Sequence, residues 1–190
     1  MKRIGICVLG MLLCHAAAMG QGYIGVFSDP QGTSCEFVEA YPGVMQVYIV
    51  HVDVPESIGS QFMVYESAEF TGVYLGEELG TGGIKSGNAP TGVSFGYGVC
   101  LSSPIHILTI SYYVDGTSDP CSYLEIVPDP HAQNGEINTV DCDFETVILE
   151  VGGRGNFNVS AADPCDCSDP FALLPTEATT WSRVKAMYRD

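Results

Sequence analysis

Cysteine carries the most definite chemistry in this sequence. Of eight cysteines, Cys7 and Cys14 fall in an apolar N-terminal stretch, and six lie beyond it: Cys35, Cys100, Cys121, Cys142, Cys165 and Cys167. An even set behind an export signal implies three disulfides, because oxidising compartments hold paired thiols as cystines. A zinc site would need ligand spacing. No C-x-x-C pair occurs, and His51, His106 and His131 stand at no such spacing from a cysteine. Cys100 and Cys121 flank one candidate strand, which favours a Cys100–Cys121 bridge. Cys165 and Cys167 point the same way in an extended segment and are expected to reach back to Cys35 and Cys142.

Carboxylates come next. The run Asp115-Gly116-Thr117-Ser118-Asp119 puts two carboxylates and two hydroxyls in one loop, and Asp115 and Asp119 could offer oxygen ligands to calcium. The full alternating acidic calcium loop is absent, and Asp, Gly and Ser dominate turns for backbone reasons alone, so an acidic hairpin turn is the favoured reading. Asp141 and Asp143 bracket Cys142, while Asp163, Asp166 and Asp169 bracket the Cys165 and Cys167 pair. No cofactor is expected, and calcium is the one ion these residues could take.

Catalytic patterns are missing from the sequence. There is no G-x-S-x-G elbow and no H-E-x-x-H. His51 and His106 sit inside strand patterns, where a hydrogen-bonded structural histidine is expected, and His131 follows Asp129-Pro130 in a loop. A non-enzymatic chain is the expectation.

The elements that must position these groups read as β throughout. Period-2 or continuous β patterns recur at Tyr23–Ser28, Cys35–Ala40, Val44–Asp53, Ser60–Ser67, Gly72–Leu75, Gly92–Leu101, Ile105–Val114, Ser122–Val127, Glu136–Cys142 and Glu145–Val151. Turn signals separate them, among them Tyr41-Pro42-Gly43, Asp115-Gly116 and Asn134-Gly135. Five of the 11 prolines follow an aspartate, a pair that starts turns and disfavours helix. This pattern predicts an all-β, antiparallel β-sandwich of about ten strands, Ig-like or jelly-roll-like, with a short C-terminal amphipathic helix. In strand number and spacing it resembles immunoglobulin-like and cohesin-like sandwiches, a likeness of architecture from which no functional residue carries over. The strands 43–53 and 105–114 are apolar on both faces and should be central. Leu124 and Ile126 around Glu125 instead predict one face in and one out.

Both ends of the chain differ from this body. Lys2 and Arg3, the apolar run 4–14 and the small residues Ala16, Ala17, Ala18 and Gly20 have the layout of a secretory signal peptide cleaved near Gly20, too short to span a bilayer. Beyond it, five basic residues face 23 acidic ones, a field that repels nucleic acid. The acidity stops near the C-terminus, where residues 177–190 hold three basic and two acidic residues. There Thr179 or Thr180 can cap a helix, with Trp181, Val184 and Tyr188 on one side and Arg183, Lys185 and Arg189 on the other. The expected organisation is a signal peptide over 1–20, a β-sandwich over 21–162, a Cys/Asp/Pro-rich linker over 163–176 and a basic amphipathic tail over 177–190.

These features point to a secreted or cell-surface module, non-catalytic and structural or adhesive. Its tail would engage a protein partner or a second copy. No later segment is long and apolar enough to cross a membrane. The alternative is a carbohydrate-binding module, which calcium held by the acidic loops above could assist. Nine tyrosines outside the tail, with Tyr112 and Tyr113 adjacent, could supply aromatic platforms for sugars.

Overall fold

The structure is a computed structural model that describes residues 22–54, 56–149, 152–160 and 165. Twelve strands are found among them: β1 (Tyr23–Phe27), β2 (Glu36–Phe37), β3 (Gly43–Val52), β4 (Ser57–Glu66), β5 (Val73–Leu79), β6 (Ile84–Asn88), β7 (Gly92–Leu101), β8 (Ile105–Val114), β9 (Tyr123–Val127), β10 (Ile137–Val140), β11 (Thr146–Leu149) and β12 (Arg154–Phe157). The expected leader and tail helix lie outside the described residues, as does the expected linker apart from Cys165. Among the described residues, no helix is long and apolar enough to cross a membrane.

Two sheets form the sandwich. The smaller has the order β1-β3-β8-β5, and the larger runs β11-β10-β4-β9-β12-β2, with β7 on β4 and β6 on β7. Strands β3 and β8 lie at the centre of the smaller sheet as their apolar runs predict, but they are not buried on both faces: Val44, Gln46 and Tyr113 are exposed on the outer one. β4 is shared along its length: its first half pairs with β10 and β7, its second with β9. Parallel pairing is confined to the short β2–β12 contact.

The core follows from alternation. Val47 and Ile49 of β3, Ile110 and Tyr112 of β8, Phe62 and Val64 of β4, and Leu124 and Ile126 of β9 are buried, whereas Glu125 reaches out to Arg154. Each fully buried side chain of this size contributes roughly 1.5–3 kcal/mol. One end is closed by aromatic rings: Phe157 stacks on Phe37 at 4.6 Å, and Phe70 meets Phe157 at 4.6 Å and the edge of Tyr112 at 5.2 Å. Tyr112 is therefore core, so it does not form a sugar platform with its exposed neighbour Tyr113.

The disulfides correct the expected pairing. Cys100 is joined to Cys142 and Cys121 to Cys165, each with Cα atoms 5.7 Å apart, and Cys35 is also disulfide-bonded. A Cys100–Cys121 bridge fails because β8, between them, belongs to the opposite sheet and carries the chain across the sandwich. Cys100 ends up beside the β10–β11 hairpin and Cys121 near the end of β12, where Cys121 N donates to Phe157 O. Cys165 thus reaches Cys121, and neither Cys35 nor Cys142 as the sequence had suggested.

Candidate functional site

Two surfaces stand out, one on the outer face of each sheet. On the smaller sheet, Val44 of β3 pairs with Tyr113 of β8, and Tyr113 pairs with Val73 of β5. Residues directly opposite in a ladder share a face, so the three form one row across three strands. All are exposed, at 65%, 45% and 58%. A bulge between Tyr74 and Gly76 makes Leu75 an extra, exposed residue at the same edge, while Tyr74 still packs its ring against Tyr112. The next rows are polar: the Tyr48 hydroxyl donates to Gln46, His106 hydrogen-bonds Thr109 at 2.9 Å, and the rings of Tyr48 and His106 meet edge to face.

The larger sheet carries a recess of about 550 Å³. Its floor follows from register: Ser94 of β7 pairs with Gln61 of β4, which pairs with Asn138 of β10. The loop after β9 forms a wall with His131, Gln133 and Asn134, and Val140 and Thr146 close the far side. This loop is held in place by Asp129. Its buried carboxylate accepts from Gln61 Nε2 at 2.9 Å and from the His131 backbone N–H at 2.8 Å, with His131 Nδ1 at 3.0 Å. Burial alone would raise the Asp129 pKa, but the hydrogen bonds from His131 and Gln61 outweigh it and lower it. Gly92, at φ +109, lets this carboxylate approach; a Cβ there would lie 2.2 Å from Asp129 Oδ1. Asn134 and Asn138 exchange amide hydrogen bonds at 2.6 and 3.1 Å.

The residues singled out from sequence are distributed otherwise. Asp115 and Asp119 do share a loop, but the Asp115 carboxylate already accepts from the Thr117 hydroxyl and backbone N–H and from Thr71. The Thr117 hydroxyl is the main cause of its lowered pKa. Asp141 is committed likewise, to the backbone N–H groups of Asp143 and Glu145. Among the described residues, the group that could hold a metal ion is Glu56, Cys100 and Cys142, whose two sulfurs are joined in a disulfide. The donor set therefore does not fit calcium there. His106 is hydrogen-bonded as expected; His51 is fully buried with neither ring nitrogen partnered among the described residues. Trp181, Arg183, Val184, Lys185, Tyr188 and Arg189 lie outside the described residues, as does Cys167.

Sequence reading missed Gln61, Ser94 and Asn138, because outward polar positions of a strand look like ordinary solvated ones. Only the pairing of β7, β4 and β10 makes them neighbours. Asn134 was visible only as the turn signal before Gly135, which indeed adopts φ +70.

No protein-family model matches this sequence, and no curated protein sequence matches it either. Similar solved structures are cohesin modules. One, from a family 33 glycoside hydrolase of Clostridium perfringens, is 10% identical with a TM-score of 0.50, covering 74% of this chain and 99% of that one. Another, from the Coh-OlpA-Doc918 complex of Clostridium thermocellum, is 14% identical with a TM-score of 0.48, covering 71% and 97%. At such identity the Clostridium perfringens likeness is one of fold, and the fold is a cohesin-like β-sandwich.

Proposed function

We propose that this chain is a non-catalytic extracellular module with a structural or adhesive role, whose smaller sheet binds an apolar, basic protein segment. The observation that carries this is the Val44–Tyr113–Val73 row, large apolar side chains in register on an exposed face, with the bulged Leu75 beside it. An acidic body favours a basic ligand, because complementary charge steers encounter and fixes register. The chain contains such a segment. Residues 177–190 combine Trp181, Val184 and Tyr188 with Arg183, Lys185 and Arg189, and are the occupant to which this reading commits, donated by a second copy. A cohesin-like sandwich is consistent with a scaffold that presents a binding face, and export through the leader would place it outside the cell.

Sedimentation of the whole chain over a range of concentrations tests this. The expected result is concentration-dependent association that a synthetic peptide of residues 177–190 competes away and that Tyr113→Glu abolishes without lowering the melting temperature. A chain that stays monomeric throughout, or that associates equally well with Tyr113→Glu, overturns the proposal.

A further inference from the structure

We infer that the recess on the larger sheet is a binding site for a neutral saccharide. This is a second site, on the opposite face from the docking row, and does not depend on it. Three features select the ligand class. First, its volume, about 550 Å³, falls within the roughly 300–1,000 Å³ of small-ligand sites. Second, its polar groups are amides and hydroxyls with unused capacity. Gln61 spends its Nε2 on Asp129 and keeps its carbonyl oxygen uncommitted, and Ser94, Gln133 and Thr146 make no side-chain hydrogen bond among the described residues. Planar amides offer a donor and an acceptor side by side, which matches neighbouring hydroxyls of a sugar ring, and half-buried Val140 offers a patch for its C–H groups.

Third, among the described residues no cationic side chain is free to hold an anion. The two basic residues of the described body are both engaged elsewhere, Lys85 with Glu77 and Arg154 with Glu125, and the His131 ring lies against the Asp129 carboxylate. A phosphate or carboxylate ligand would enter an acidic field without a counter-charge. A neutral polyol meets no such penalty. The site is also preorganised: Asp129 fixes both Gln61 of the floor and His131 of the wall, so little ordering remains for the ligand to impose.

The experiment is saturation-transfer NMR and calorimetry on the whole chain with cellobiose, maltose, lactose and N,N′-diacetylchitobiose, and with glucuronic acid as the charged probe. At least one neutral disaccharide should bind saturably in the millimolar range or tighter. Gln61→Ala should weaken it about tenfold or more. Because that change also removes a partner of buried Asp129, Thr146→Trp, at an exposed rim position, provides a blocking variant expected to abolish binding with an unchanged melting temperature. The inference is overturned if no neutral probe binds, if binding survives Thr146→Trp, or if glucuronic acid binds as well as the neutral sugars.

Discussion

The ammonium of Lys85 lies 2.6 Å from Oε1 of Glu77, a carboxylate whose side chain is 1% exposed, and the contact joins β6 of the larger sheet to β5 of the smaller. Glu77 Oε2 accepts the Ala89 backbone N–H at 2.8 Å, so one buried acid clips both sheets together at this edge. Burial first, and then Glu77, pushes the Tyr74 hydroxyl up to about 12.

Removing the cation alone should therefore be costly. Lys85→Met leaves the Glu77 charge buried without its counter-ion and is expected to lower stability by about 2–3 kcal/mol, a little under the range for breaking a fully buried pair because the Lys85 side chain is itself 28% exposed. Denaturant unfolding measures it. The double variant Lys85→Met with Glu77→Gln should recover most of the loss, since the glutamine carbonyl can still accept from Ala89 and no charge is stranded. Equal losses in single and double variants would show that the pair contributes through packing instead.

The disulfide pairing is directly checkable. A digest of the oxidised chain without reductant should yield a peptide linking Cys100 to Cys142 and another linking Cys121 to Cys165. Each bridge closes a loop of more than 40 residues, with separations of 42 and 44. Reduction should therefore lower stability by about 2–5 kcal/mol per bridge. A Cys100–Cys121 peptide would contradict the path of β8 across the sandwich.

How far the sequence could be read depended on which physical signal each element carried. β7 and β8 are legible at their observed bounds because apolar and aromatic residues recur along them, and the central place of β3 and β8 is legible from their apolar runs, although their outer face also carries Gln46 and Thr109. β6 and β12 were not read as strands. β6, Ile-Lys-Ser-Gly-Asn, is an exposed edge with a single large apolar residue, and β12, Arg-Gly-Asn-Phe, has Gly155 where a side chain would strike Phe37 and Val26. Their identity as strands comes from their neighbours. Disulfide partners and the recess share that limit, because both depend on which strands meet, and alternation within one strand does not encode it.

Asp29 offers a local test. Its carboxylate accepts from the backbone N–H groups of Gln31, Thr33 and Ser34 and from the Thr33 hydroxyl. Burial raises its pKa, but these donors, led by the Thr33 hydroxyl, lower it further than burial raises it. The loop they shape lays Gly32 over Val50 and Val52 of β3, where a Cβ would come within 2.9 Å of Val52. Asp29→Ala should cost about 1–3 kcal/mol and speed amide exchange in residues 28–34 before any global unfolding. With a native pKa below the ordinary 3.8, the wild-type contribution is present above that pH and fades as pH falls through the native value.

His51 should make the fold acid-sensitive at a higher pH than its carboxylates do. The ring is fully buried on β3, paired in register between Ile24 of β1 and Ile105 of β8, and burial pushes its pKa down from 6.5 to about 4. The unfolded chain takes up a proton near pH 6.5, whereas the folded chain does so only near pH 4. Unfolding therefore binds a proton throughout that window, and stability, full above it, must fall as pH drops through it. The loss approaches about 3 kcal/mol at the lower end. Because the nitrogens have no hydrogen-bond partner among the described residues, His51→Leu removes two unsatisfied polar atoms and keeps an apolar side chain of similar reach. Its stability at pH 7 should equal or exceed that of the natural chain by about 1 kcal/mol. The difference between the two pH profiles isolates the histidine from Asp29, Asp115 and Asp129, whose lowered pKa values act below this window. Parallel profiles from pH 7 to 4 would mean that the folded ring titrates as it does in water.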